Sequence, residues 1–591
     1  MRVMDQFSAA GKPTEARDLA ARDSASGAGF DTEFVPGEFE SSGEPGGVLP
    51  GGGPGGGPGG ASGGTSDSSA PATGPAPSAA GRAVPQSGTA QAWAALGGDP
   101  ALLARVSRER RPGLLPSALP VLELASATVA ACSLAAAEFS CVRARSALLP
   151  PVRVDDGAVA TAFHSDRLVR VDGRAPVTFA PLSRFWRTAD GWVRTHANYP
   201  HHRARLLSAL GMPDHGPAED EAAAGRMATE LAGRQAWDVE EAVYAEGGVA
   251  VAVRTPEEWA AHPQRAAVTP TPLVALSRLD GAPTLALEGP HGPGGLRGLR
   301  VLDLTRVLAG PVATRTLALL GADVLRIDAP ERPESLDTHA DTDLGKRSTL
   351  LDLSSRAGQA TFEELLASAH VVVTGYRPGA LDRFGLAPES LMDRRPGLVV
   401  GQLSAWGAAG PWQRRRGFDS LVQAATGIAC LEAAGEAGTA KVTNSPDLAP
   451  GALPAQALDH GTGYLLAAGV LRALTEQRTG SPGSRLVRLS LARTAHWLQH
   501  ELPPVSGTSS APGSGGRGKG DAEPSADAFD PAPWLTETDS PLGRLRHALP
   551  PVGFGPTATS GGAGGAPGTA RCPHDWLRPP GQVGGDPAEW I

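Results

Sequence analysis

Between residues 296 and 404 short apolar runs alternate with longer stretches of helical period. LRVLDL, DVLRID, HVVVTG and GLVVGQL are rich in Val, Leu and Ile and read as strands, whereas PVATRTLALLGA and a stretch near 357–369 read as helices. Strand, helix and strand with short connections predict right-handed βαβ units and a mostly parallel, Rossmann-like sheet. Further on, Thr462 to Arg478 is apolar on nearly every face, closes at Gly480 with Pro482 beyond, and reads as a buried helix. From 164 to about 285 the pattern is α+β. FWRTADGWVRTHAN predicts a hairpin turning at Ala189, Asp190 and Gly191, followed by helices near 200–210, 219–232, 236–246 and 255–261, a separate smaller domain. The expected fold class is α/β, a Rossmann-like parallel-sheet large domain plus a smaller α+β domain, with a disordered Gly/Pro-rich tail and loops.

An internal repeat crosses this pattern. Residues 127–163 and 463–497 share an Ala-rich helix, a loop with proline, a strand bearing Val-Arg-hydrophobic, and a helix with Thr-Ala-aromatic. From Ala130 to Arg153 is 23 residues, and from Ala467 to Arg488 is 21. Opposite Asp459 the first copy has a position near Leu122, which is not acidic, so only the second copy is expected to carry chemistry.

Composition changes the picture at the ends. The 76 glycines and 54 prolines concentrate in residues 1–90, 506–528 and 558–570, where the chain loses too much entropy on folding for the little it buries. The expected organisation is a disordered tail over 1–90, a degenerate repeat segment over 91–163, a small α+β domain over 164–290, a large domain over 296–503 and a loop-rich segment over 504–591. The net charge of −9 is spread with both signs interspersed, so no basic face for nucleic acid is expected. Cys132, Cys141, Cys430 and Cys572 are scattered without a CxxC pair, which points to buried thiols in a reducing, cytoplasmic compartment. Neither an 18-residue uncharged apolar run nor an N-terminal signal core stands out, so no membrane association is expected.

Several chemistries fall away on spacing. The first strand-to-helix turn is TRVLAGP rather than GxGxxG, so Asp328 lacks the glycines that accompany a ribose-binding acid. GSGGRGKG at 513–520 puts Gly520 where a phosphate loop needs Ser or Thr, and no strand precedes it. In HANYPHH, His196, His201 and His202 have no acidic or Cys partner at ligand spacing and read as surface or packing histidines; no metal is expected. Asp459 is different. It stands just before the buried helix, as a helix cap or as a nucleophile, and Gly461 and Gly463 beside it would let a substrate approach the helix amides.

Six collinear stretches carry a resemblance: GLRVLDLTRVLAGPVATRTLALLGADVLRIDAP, GKRSTLLDLSSRAG, HVVVTGYRPGALDRFGL, PGLVVGQLSAWGAAGP, GFDSLVQAATG and DHGTGYLLAAGVLRALTEQRTGSPG. Together they resemble the class III CoA-transferase family of formyl-CoA and crotonobetainyl-CoA:carnitine transferases. The resemblance implies acyl-CoA and carboxylic acid substrates, with coenzyme A as substrate and no separate cofactor. It places Asp459 as the residue that attacks the thioester and passes CoA on through an anhydride and an aspartyl-CoA thioester. It sets Val307 and Ala309 along CoA, with Leu308 where the formyl enzyme has glutamine. Leu351, Tyr376 near adenine, Gly375 in place of the usual asparagine, Arg383, Phe384 and Arg416 complete the implied CoA contacts. The related racemase branch shows GHD where this chain has GFD, so Phe418 stands in place of a base; a catalytically silent scaffold is the remaining alternative. The small-domain-like segment precedes the large domain instead of following it. The family forms interlocked dimers, so the expectation is a homodimer or a monomer that its own repeat completes.

Overall fold

The Val- and Leu-rich runs form strands where their pattern places them. A computed structural model describes residues 87–289, 292, 294–437, 449–504, 529–555 and 572–591, all within a unit that spans Arg82–Ile591. Residues 1–86 of the expected tail and the GSGGRGKG stretch lie outside the described residues, whereas residues 88–90 begin the helix Gly88–Ala95.

In chain order, β1 (Val106–Glu109) pairs in parallel with β2 (Val152–Asp155), and the helix Val121–Ala144 lies between them. β3 (Arg170–Val171) follows, then β4 (Phe185–Arg187), β5 (Trp192–Thr195) and β6 (Ala250–Ala252), an antiparallel sheet with the expected hairpin turn. The helices Pro200–Ala209, Asp220–Ala232 and Ala236–Ala245 cover that sheet around Leu206, Met227, Leu231 and Val243. The large sheet takes β7 (Ala275–Arg278), β8 (Arg300–Leu304), β9 (Asp323–Asp328), β10 (Arg347–Leu350), β11 (Val371–Thr374), β12 (Val399–Ser404) and β13 (Arg485–Ser490). Its order is β10-β9-β8-β11-β12-β13-β7, parallel but for the edge pair β13–β7. β14 (Leu535–Ser540) and β15 (Gly543–Ala548) form a hairpin that pairs with β3. The molecule is therefore mixed α/β, with parallel and mixed sheets.

Val371, Val372 and Val373 are wholly buried, as strands covered on both faces require. From β8 the chain runs outward through β9 to β10, then returns to the other side of β8 as β11. That reversal opens a crevice at the carboxyl ends of β8 and β11, where open α/β sheets bind ligands.

Three boundaries differ from the sequence reading. β7 lies within 164–290 yet completes the large sheet, and β3 pairs with the C-terminal hairpin, so that span is not a separate body. The 504–591 stretch, read as loop-rich, contributes β14 and β15. Strand pairing across long sequence separations carries no local signature, which is why both escaped the pattern. The long buried helix runs Ala457–Arg478, five residues earlier than its apolar period indicates, because a tertiary partner described below satisfies its first amides.

The repeat has a structural counterpart. β1, the helix Val121–Ala144, β2 and the helix Asp156–Phe163 follow the same order as β12, Ala457–Arg478, β13 and Leu491–His500, with each strand pair parallel. The two long helices pack on each other, and an added Cβ at Gly461 would stand 2.6 Å from Leu124 Cδ2. Val121–Ala144 is long and apolar enough to cross a membrane by length and composition, but it is buried in this core. Counted from the helix starts, Glu123 rather than Leu122 is the counterpart of Asp459. It is tied to Arg108 at 2.5 Å and accepts the Gly88 amide at 3.0 Å.

Candidate active site

A cavity of about 350 Å³ opens at the carboxyl-end crevice, bounded by the turn after β8, the 333–341 segment, the 176–180 and 196–200 segments, and the first turns of two helices. Val307, Leu308, Phe418, Asp419 and Asp459 all face it. The turn after β8 is held from below. Asp303 accepts the Thr305 amide at 3.0 Å and the Thr314 hydroxyl at 2.6 Å, and it pairs with the buried Lys346 at 3.0 Å. Val307 has φ of +66°, a left-handed conformation that a β-branched residue adopts only under constraint. Its amide donates to Glu334 Oε2 at 3.0 Å, and Glu334 also accepts Tyr199 Oη at 2.9 Å. The strained turn is thus clamped between two buried acids.

Asp459 occupies the third position of the helix Ala457–Arg478, not its cap. Capping falls to Asp419, whose Oδ2 accepts the Asp459 amide at 2.9 Å while its Oδ1 accepts the Gln423 side-chain amide. Gln423 in turn accepts the Leu453 amide at 2.9 Å. Close packing fixes the helix laterally. A Cβ at Gly463 would lie 2.5 Å from the Ala309 carbonyl, so the helix Ala309–Leu319 fills that space. Gly461 and Gly463 therefore serve helix contact rather than substrate approach, which corrects the reading made from their spacing.

The acids of the cavity divide by partner. Asp337 is paired with Arg174 at 2.5 Å, Asp341 with Arg315 at 2.9 Å, and Glu334 with Arg306 and Arg326 at 3.6 Å each. Asp166 lies 3.7 Å from His460 Nε2, and His460 stacks on Phe163 at 5.1 Å. Burial acts to raise Asp166, but His460, Arg167 and His164 outweigh it and hold the acid below its usual range. Asp419 has only amide donors and is pushed up to about 6 by burial. The Asp459 side chain is 6% exposed and has neither cation nor hydrogen-bond donor among the described residues. Burial first, then the negative charges of Asp419 and Asp166, raise it well above the ordinary carboxylate range.

The remaining residues implied by the resemblance do not line the cavity. Ala309 is buried at the start of its helix, and Gly375 packs against Thr305 in the neighbouring turn. Leu351 lies in the core beneath β9 and donates its amide to the Asp328 carbonyl at 2.9 Å. Tyr376 is 38% exposed, and the Arg383 guanidinium lies 4.6 Å over the Phe384 ring. Arg416 donates to the Gly247 carbonyl at 3.2 Å, as Arg205 does. Burial and the fields of Arg377, Arg205 and Arg332 lower Arg416 together. None of these four arginines has a carboxylate partner among the described residues, and His201 is pulled down to about 4 by burial and by the charges of Arg332, Arg306, Arg416 and Arg205. Among the described residues no group of three His, Cys, Asp or Glu side chains is placed to hold a metal.

Sequence reasoning missed Asp419, Glu334 and Asp166, and it read His196 as a packing residue. His196 does pack, face to face on Phe418 at 3.7 Å, but in doing so it forms part of the cavity wall. Asp419 follows Phe418 in the GFD triplet, so its signal was present. Its role was hidden because the amide it caps lies 40 residues on.

Comparison with known proteins agrees with the motif reading. Residues 296–531 match CoA-transferase family III. A probable fatty acyl-CoA transferase of Mycobacterium tuberculosis is 33% identical over 192 residues, 30% of this chain and 46% of that protein. The acetyl-CoA:oxalate CoA-transferase of Acetobacter aceti is 32% identical over 236 residues, 38% of this chain and 57% of that protein. Among solved structures, a CaiB/BaiF family protein from Brucella suis is similar at 27% identity, with a TM-score of 0.29, over 35% of this chain and 58% of its own. The chain thus spans about half the length of the curated relatives it matches.

Proposed function

We propose, from the family III match over residues 296–531 and the unpartnered carboxyl at its cavity, that this protein transfers CoA from an acyl-CoA to a carboxylic acid through covalent intermediates on Asp459. The observation that carries the reading is the state of Asp459. A buried carboxyl without a cation or donor is costly for a fold to keep, and nothing in the helix requires it once Asp419 caps the first amides. Poor solvation makes its ionised form a strong nucleophile.

The chemistry follows in balanced steps. Ionised Asp459 adds to the thioester carbonyl, the C–S bond breaks, and CoA leaves as thiolate with an acyl-aspartyl anhydride behind. The thiolate then attacks the aspartyl carbonyl, which releases the donor's carboxylate and leaves an aspartyl-CoA thioester. The acceptor carboxylate attacks that thioester to form a new anhydride, and the thiolate attacks the acceptor's acyl carbon, so the new acyl-CoA departs and Asp459 is freed. The arginines at 205, 332, 377 and 416, which act on one another and have no carboxylate partner among the described residues, include Arg332 beside the lining Pro333 and Arg416 two residues before the lining Phe418, and they suit the phosphates of CoA. Leu308 offers the cavity no amide donor, which favours an acyl group less polar than formyl or oxalyl.

Proton exchange at an α-carbon requires a base facing Asp459. His196 borders the cavity, yet burial and Arg194 pull it to about 3 and Phe418 covers its face, so it is a weak base. The deciding experiment is incubation with a panel of acyl-CoAs followed by hydroxylamine or borohydride and peptide mass spectrometry. An adduct on Asp459 supports transfer. Solvent exchange of the α-proton without an adduct, or neither signal with any acyl-CoA, would count against it.

A further inference from the structure

A second and larger cavity, about 1000 Å³, lies at the opposite edge of the large sheet, where the parallel strands begin. Arg300 opens β8, Arg347 opens β10, His370 immediately precedes β11, and Arg395 lies in the approach to β12. Arg297 and Arg578 complete its cationic lining. Two of these arginines are neutralised, Arg347 by Asp323 at 2.9 Å and Arg578 by Asp586 at 3.1 Å. Arg297, Arg300 and Arg395 have no carboxylate partner among the described residues. The acidic lining side chains are Asp323 and Glu288, the latter at the exposed rim, and Ile591 brings its α-carboxylate to the same cavity.

The local field agrees with that count of charge. Burial, Arg395, Arg478 and Arg300 together pull His370 down to about 4, against its contact with the Ala286 carbonyl at 2.9 Å. Burial and Arg300 lower Arg395, and burial and Arg143 lower Arg478 to about 10. His370, Arg395 and Arg478 are therefore harder to keep charged here than in water, through burial first and neighbouring positive charge second. Several cations around a concave, partly apolar space concentrate anions far more strongly than the same charges on a flat surface. The Trp590 ring, packed on the core beside the cavity, lies 5.9 Å from the Arg300 guanidinium.

We propose that this cavity binds a small polyphosphate anion, an inorganic pyrophosphate or a nucleoside polyphosphate, through Arg297, Arg300 and Arg395. It is separated from the Asp459 cavity by the length of the strands, so occupancy here is distinct from substrate binding there.

Isothermal titration of the full chain with pyrophosphate and with ADP at low salt tests it. The expected result is saturable binding that weakens at least about tenfold in R300Q/R395Q, the loss of two charge-assisted contacts. Tighter binding of ADP than of pyrophosphate would identify a nucleotide, and equal binding would identify the phosphates alone; both support the site. Should the double variant fail to fold, R297Q, altered at an exposed side chain, is expected to weaken binding about threefold. No saturable binding, or undiminished binding in these variants, overturns the proposal.

Discussion

Asp459 and Asp419 set opposite demands on one turn of helix. Ionising Asp459 costs the fold energy, because its folded pKa lies above the unfolded value. The cost is absent below about pH 4, where both states are protonated, and grows as pH rises toward the folded pKa. Asp459→Asn is therefore expected to raise Tm at pH 8 by a few degrees, with the gain vanishing near pH 4, as scanning calorimetry would show. The same substitution should lower CoA transfer by about 10³-fold or more, since it removes the proposed nucleophile. Asp419→Asn separates charge from geometry. Its carbonyl can still accept the Asp459 amide, but its NH2 meets the Gln423 donor, so about 1 kcal/mol of stability is lost. Removing the negative charge lowers the Asp459 pKa, so the acid limb of the rate–pH profile should move to lower pH. A limb that stays in place would mean that the charge of Asp419 does not act on Asp459.

At the scale of elements, the site depends on how closely three helices approach. Gly463 meets backbone, the Ala309 carbonyl, whereas Gly461 meets the end of the Leu124 side chain, which can rotate away. Gly463→Ala should thus be the more damaging, by about 1–3 kcal/mol in urea unfolding, and Gly461→Ala should cost less. Gly463→Ala should also depress activity, because the helix it displaces starts at the Leu308 turn. The elements themselves were largely legible. The βαβ alternation, the hairpin at Ala189–Gly191 and the helices of the small sheet follow from local period, and the structure has them within a few residues. The motif singled out Asp459, and the structure places that residue in the cavity wall. What was not legible is what strand pairing and distant caps decide: β7 joining the large sheet, the helix start at Ala457, and the Asp419–Asp459 contact. In each case the deciding partner lies far away in sequence, so neither periodicity nor propensity registers it.

For the molecule as a whole, the repeat poses the question of what covers the helix Ala457–Arg478. Nearly all of this helix is buried, and much of its cover is the chain's own Val121–Ala144, rich in alanines that allow the two backbones to approach. Arg472 joins the two helices through Glu138 and ties them to the preceding segment through the Leu96 and Gly97 carbonyls. Among the described residues, this helix, covered from within, offers almost no apolar face to a second copy. Light scattering on the eluting chromatographic peak is accordingly expected to give a monomer near 60.3 kDa. Specific activity should stay constant from about 10 nM to about 10 μM, because a site completed within one chain does not depend on association. A tight dimer, or activity that falls on dilution, would mean that a second chain supplies part of the site. In that case Arg472→Ala, which loosens only the intramolecular contact, should leave activity intact. If instead the repeat completes the site, this substitution should lower both Tm and turnover, and a higher protein concentration should restore neither.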